Sequence, residues 1–138
     1  MASIFTRIIA GEIPGTFVFQ GERWVALLDI RPAHPGHVLL IPREERQYLA
    51  DLSPSTQAEL GRHLAKMTES VKRATGCPAV NVVLNDGPEA GQEVPHAHLH
   101  VVPRWPGDHK GFRFAGAPYG DGQMVAMAER LRAAWAAD

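Results

Sequence analysis

A single cysteine, Cys77, is all the thiol that this chain of 138 residues carries. It cannot close an intrachain disulfide, which excludes a stapled secreted scaffold and any cysteine-rich metal cluster and points to a reducing compartment. An excess of charge is also missing: 14 Lys+Arg stand against 15 Asp+Glu, a formal net charge of −1 at pH 7. Without a basic surplus to meet a phosphate backbone, binding to a nucleic-acid polymer is not expected as the main activity, whereas a small nucleotide is still allowed. No apolar run approaches the roughly 20 residues that span a bilayer, and the opening MASIFTRIIAGEIP lacks the charged-then-apolar order of a secretion signal. The expectation is a cytoplasmic protein with no membrane partner. Neither a repeat nor a long linker divides the chain, so residues 1–138 read as one domain.

What is present alternates between two hydrophobic periods. Ile4, Phe5, Ile8 and Ile9 recur at helical spacing after Ser3, a good N-cap, and Gly11 with Pro14 ends that short helix. Residues 16–20 and 24–30 are β-rich runs divided by Gly21-Glu22-Arg23, the pattern of a hairpin. Residues 37–41 form a continuous apolar strand between Gly36 and Pro42, so both of its faces should be covered. From Ser53 the period changes to 3.6, with Leu60, Leu64, Met67 and Val71 on one stripe and Gly76 closing the longest helix. Residues 79–84 read as a strand, 85–91 as a Gly- and Pro-containing loop, and 94–103 as a further strand. Residues 104–120 read as irregular, and Met124, Met127, Leu131 and Trp135 mark a terminal helix capped by Asp121. Hairpin-joined strands without strict βαβ alternation predict an α+β fold: an antiparallel sheet of about five strands, one long helix and shorter N- and C-terminal helices.

Three of the seven histidines fall in one five-residue window, HAHLH at 96–100. Chance placement gives such a window about 2% of the time, so the cluster calls for a cause. On a strand, His96, His98 and His100 would share one face and Ala97, Leu99 and Val101 the other. A solvated polar face is one explanation, and a metal site is a second, since His-x-His is a familiar ligand pair. Distance opposes convergence of all three on one ion: at a strand's rise, His96 and His100 start about 13 Å apart. The third explanation is covalent catalysis, in which a neutral imidazole attacks phosphorus to form a labile phosphoimidazole that water cleaves. His98, flanked on both sides, is then the nucleophile. Asn85, Gln92 and the backbone of residues 87–91 are nearby donors for phosphate oxygens.

HAHLHVV matches the His-φ-His-φ-His-φ-φ signature of the histidine triad superfamily of nucleotide hydrolases and transferases, φ being apolar. The resemblance covers nearly the whole chain. SIFTRIIAGEIP is similar to the family's opening helix, WVALLDIRPAHPGHVLLIPR to its first strands, and NDGPEAGQEVPHAHLHVVPR to its phosphate loop and triad strand. It resembles most the Hint-related bacterial branch, which hydrolyses nucleoside phosphoramidates; VVPRWPGD is also similar to Fhit-like dinucleoside polyphosphate hydrolases. The resemblance implies a phosphoramidase-like nucleotidyl hydrolase or transferase acting through a covalent nucleotidyl-histidine. The alternatives are a dinucleoside polyphosphate hydrolase and a non-catalytic nucleotide-binding adaptor, since fold alone does not establish turnover.

By that resemblance His98 attacks the α-phosphorus. The carbonyl of His96 accepts the Nδ1 proton of His98, His100 contacts the phosphate or leaving group, and His37 joins from a neighbouring strand. Asn85, Gln92 and the backbone of Val94 match the phosphate-contacting segment. Asp29 and Ile30 match the ribose- and base-binding segment, with Leu28, Phe5 and Ile8 as the apolar wall of the base pocket. Ser3-Ile4-Phe5-Thr6 stands where many bacterial relatives carry Cys-x-x-Cys for zinc, so no metal and no cofactor is implied. Glu93 stands where Hint proteins commonly place a serine facing the leaving group, and a carboxylate there would repel phosphate. Arg104 is either a contact to a second phosphate or a solvated charge. The long helix is the element through which relatives dimerise, which implies a homodimer.

Overall fold

The computed structural model describes residues 1–111, 114 and 116–137. Five strands form one antiparallel sheet: β1 (Phe17–Gln20), β2 (Trp24–Leu28), β3 (Val38–Pro42), β4 (Ala79–Leu84) and β5 (Leu99–Arg104), in spatial order β1-β2-β3-β5-β4. Three α-helices accompany them among the described residues: α1 (Ile4–Ile9), α2 (Pro54–Thr75) and α3 (Gln123–Ala136). The architecture is the α+β arrangement that the periodicities predict. Among the described residues no helix is long and apolar enough to cross a membrane.

Strand β3 explains the layering. All five of its residues are buried, because alternate side chains enter different cores. Val38 and Leu40 join Trp24, Ala26, Leu99 and Val101 against the Leu60, Leu64, Met67 and Val71 stripe of α2. Leu39 and Ile41 join Phe5, Val25 and Leu27 on the opposite face, where Ile8 and Ile9 of α1 pack. Ser53 caps α2, its hydroxyl accepting from the N–H of Thr56, and Gly76 ends the helix at φ 75°.

The structure corrects three sequence expectations. The last strand begins at Leu99, not at residue 94, so only His100 of the triad lies on it. Pro95 has no N–H to give a ladder. The chain instead makes a tight turn, with the N–H of His96 on the carbonyl of Val94 at 2.8 Å and that of Ala97 on the carbonyl of Arg46 at 2.7 Å. His96 and Ala97 are both fully buried, and the simple alternation of faces fails there. The cap position of α3 is Gly122, at φ 71°, with no side-chain cap, so Asp121 does not cap it. Met124, Leu131 and Trp135 remain exposed, because none of the described residues covers their stripe. Of the segment 104–120 that reads as irregular, residues 112, 113 and 115 lie outside the described residues.

Because Leu40 has no exposed surface and sits at the centre of the α2-side core, Leu40→Ala should destabilise the protein by about 3 kcal/mol through lost burial and a residual cavity. A urea titration should show the midpoint falling with the slope unchanged.

Candidate active site

A cavity of about 510 Å³ opens on the α1 side of the sheet, within the usual range for a small-molecule site. Its wall includes Phe5 and Ile8 of α1, Leu28, Asp29 and Ile30 at the end of β2, and Asn85, Val94, His98 and His100. Nine of the twelve site residues expected from the sequence thus meet at one pocket. Antiparallel register accounts for His100, which is paired with Leu39 and so shares its face with that wall residue. Three others lie off the wall: His37 and His96 are buried behind it, and Gln92 is turned away. The Gln92 amide accepts from the N–H of Gly87 at 3.0 Å and donates to the carbonyl of Gln47 at 3.0 Å, so it pins the 87–91 loop. A smaller cavity, about 250 Å³, lies against α2 near His63 and Lys66. The histidine cluster is not part of it.

The hydrogen bonds assign each ring a tautomer. The N–H of Ala33 donates to His37 Nδ1 at 3.0 Å, so neutral His37 carries its proton on Nε2. That nitrogen lies 2.9 Å from His100 Nδ1, which must accept, leaving His100 with Nε2–H. His96 Nε2 donates to the carbonyl of Pro42 at 2.8 Å, so its Nδ1 accepts from the Ser3 hydroxyl at 2.6 Å. Finally, His98 Nδ1 donates to the carbonyl of His96 at 2.7 Å. In the neutral ring, Nε2 of His98 is therefore a lone pair, with no hydrogen-bond partner among the described residues. Phe5 packs against the His98 ring in a T-shaped arrangement with 4.9 Å between centroids.

Burial favours the uncharged forms. It is the largest cause lowering the pKa of His37, partly offset by Asp29, and of His96, partly offset by the Pro42 bond and Glu45. His100 is pushed down to about 4, first by burial, then by His98 and His37, against the opposing pull of Asp29. Asp29 lies 3.6 Å from His37 Nε2, and its other oxygen accepts from the N–H of Arg31. Gly36, just before His37, adopts φ 97°, and a Cβ there would collide with the Thr75 methyl. The turn that delivers His37 thus requires glycine.

Asp29, His37 and His100 place one ligand atom each within 4.8 Å of one another. Their proton pattern does not fit a metal. The Ala33 N–H occupies His37 Nδ1, so a cation on Nε2 would require an imidazolate or loss of that bond, whereas ligating imidazoles donate their second N–H to an acceptor. Arg104 does not face a ligand alone either. Its guanidinium binds Asp108 through Nε at 2.8 Å and Nη2 at 2.6 Å, and Asn81 at 2.6 Å. Asp108 also binds His34 at 3.1 Å, tying the segment after β5 to the loop before His37.

The sequence reading missed Glu45 and half the role of Ser3. Glu45 Oε1 accepts from the Ser3 N–H and the Thr6 hydroxyl, each at 2.6 Å. Separations of 42 and 39 residues hide these contacts from any local pattern.

Residues 10–107 match the HIT domain model. Among curated relatives, an uncharacterised HIT-like protein of Methanocaldococcus jannaschii is 36% identical over 111 residues, covering 80% of this chain and 85% of that protein. Adenylylsulfatase HINT3 of Arabidopsis thaliana is 32% identical over 101 residues, 73% of this chain and 51% of that longer protein. The crystal structure of a histidine triad nucleotide-binding protein from Candida albicans superposes with a TM-score of 0.86 at 26% identity, covering 98% of each chain.

The lowered imidazole pKa values set an acid dependence of stability. His100 binds a proton near pH 6.5 when unfolded but only near 4 when folded, so the unfolded state holds more protons between those values and stability falls as pH drops through that window. The loss attributable to His100 is on the order of 3 kcal/mol. Melting temperatures from pH 7 to pH 4 should fall steeply in the wild type and less steeply in His100→Asn.

Proposed function

Because the chain belongs to the histidine triad (HIT) family, we propose that it is a nucleotidyl hydrolase or transferase that cleaves nucleoside 5′-phosphoramidates through a nucleotidyl-His98 intermediate. The observation that carries this reading is the hydrogen-bond pattern that, in the neutral ring, leaves the His98 Nε2 lone pair at the pocket while Nδ1 is held by the His96 carbonyl. Nε2 attacks the α-phosphorus and the P–Nε2 bond forms; the P–N bond to the leaving amine breaks, and the amine departs with a proton taken from solvent. The ring becomes a phosphoimidazolium, whose positive charge the His96 carbonyl stabilises through Nδ1–H. Water then attacks phosphorus, the P–Nε2 bond breaks, a proton returns to solvent, and the nucleoside monophosphate leaves. His100 Nε2–H and the Asn85 amide donate to phosphate oxygens, and the Val94 backbone borders them. Asp29 accepts from ribose hydroxyls, and Phe5, Ile8, Leu28 and the 90% exposed Ile30 cover the base. Gln92 serves by pinning the phosphate loop rather than by contact.

The charge of the wall favours an amine over a polyphosphate leaving group. Asp29 and Glu93 are the only formally charged side chains among the described lining residues, and both are carboxylates. A triphosphate or sulfate departing beside Glu93 meets like charge, whereas an amine does not. The ligand is a small nucleotide rather than a nucleic-acid polymer or a membrane. We further propose a homodimer built on α2, adjoining the edge strand β4, where Val82 is 41% exposed.

Monophosphate release from an adenosine phosphoramidate and from a diadenosine polyphosphate, with and without chelator, tests the reading. Turnover should favour the phosphoramidate, resist chelator, and fall roughly a thousandfold or more in His98→Ala. Glu93→Gln should raise the polyphosphate rate about tenfold relative to the phosphoramidate. Full activity in His98→Ala would overturn the covalent route, and binding without any turnover would support the adaptor alternative.

A further inference from the structure

We propose that Ser3, clamped by Glu45, is a positioning residue for the nucleophile: its hydroxyl holds the His96 ring in place and, through the His96 backbone carbonyl, fixes the tautomer of His98. The proposal rests on the reading that His98 attacks phosphorus.

Glu45 fixes the start of α1 by accepting the Ser3 N–H and the Thr6 hydroxyl on one oxygen, each at 2.6 Å. These bonds, the Thr6 hydroxyl first, hold the Glu45 carboxyl down at about 2, so the clamp is a carboxylate at neutral pH. With the Thr6 proton on Glu45, the Ser3 proton has one short destination, His96 Nδ1 at 2.6 Å. The 3.3 Å contact between the two hydroxyls is the weaker alternative. His96 Nε2–H is on the Pro42 carbonyl, so both nitrogens of this fully buried ring are engaged in opposite senses.

Deleting the Ser3 hydroxyl leaves Nδ1 as a buried acceptor without a donor. The ring's other neutral tautomer does not relieve this, because it would turn a lone pair of Nε2 toward the Pro42 carbonyl. Relief must come from rotation of the ring or movement of residues 94–98, whose backbone carries the carbonyl that holds His98 Nδ1–H. A nucleophile free to exchange tautomers presents a protonated, unreactive nitrogen to phosphorus for part of the time.

Ser3 also caps α1 by accepting from the Thr6 N–H at 3.0 Å, so the test must separate capping from positioning. Ser3→Asp preserves the cap acceptor but has no proton to donate, whereas Ser3→Thr preserves both. Ring-nitrogen NMR of 15N-histidine-labelled protein, together with kcat and KM for an adenosine phosphoramidate, reads the outcome. The wild type and Ser3→Thr should show His98 protonated at Nδ1 only, with rates equal within about twofold. Ser3→Ala and Ser3→Asp should show mixed His98 tautomers, with kcat lowered about tenfold and KM nearly unchanged. Wild-type kcat and an unchanged His98 tautomer in Ser3→Asp would overturn the proposal and leave Ser3 a helix cap. Should no phosphoramidate be turned over at all, the proposed activity fails, while the nitrogen signals still decide whether Ser3 controls the tautomer.

Discussion

The carbonyl of His96 accepts the Nδ1 proton of His98 at 2.7 Å, and this bond decides which nitrogen of the second ring meets the pocket. Carbonyls only accept, so no rearrangement of protons reverses its sense. The rest of the site supports it. His96 is locked between Ser3 and Pro42, Phe5 packs edge-on against both rings, and the turn at residues 94–97 supplies the short connection that brings the carbonyl back onto a side chain two residues later. A regular strand through residue 96 would point that carbonyl sideways into a ladder. Pro95, by interrupting the ladder, is what frees it.

The second histidine pair works with the opposite polarity. From the Ala33 N–H through His37 to His100, each donor faces an acceptor, and the chain ends on a His100 N–H available at the pocket. One chain therefore ends on a lone pair and the other on a proton donor, on neighbouring rings whose centroids are 5.1 Å apart. Burial is what keeps both chains uncharged where the pKa directions are resolved, since protonating His37, His96 or His100 would place charge in a dry interior and reverse a hydrogen bond. The buried pair is thus a neutral relay and not an ion pair, which also explains why its atoms, though close, suit a shared proton better than a cation.

Much of this was legible in the sequence because local rules act there without competition. The 3.6 period with Ser53 and Gly76 marks α2, and continuous apolarity between Gly36 and Pro42 marks a strand with two covered faces. The HAHLH string places the chemistry at residues 96–100. What escaped depends on contacts between distant segments. Alternation put His96 on the same face as His98, whereas the structure buries His96 because Pro42, Arg46 and Ser3, all remote in sequence, take up its polar atoms and those of its neighbour. Ser3 reads as an N-cap, which it is, but nothing local reveals that the same oxygen meets His96. Gln92 reads as a phosphate contact, yet its amide holds the 87–91 loop that lies between Asn85 and Glu93.

The most direct test of the covalent account is to stop the reaction within its first turnover. Protein mixed with excess adenosine phosphoramidate, quenched on the millisecond scale in base to preserve an acid-labile phosphoimidazole, and weighed intact should carry one adenylyl group. Peptide mapping should place that group on His98 and on no other histidine. Turnover without a trapped adduct at any time point, or an adduct on His96 or His100 instead, would contradict the account.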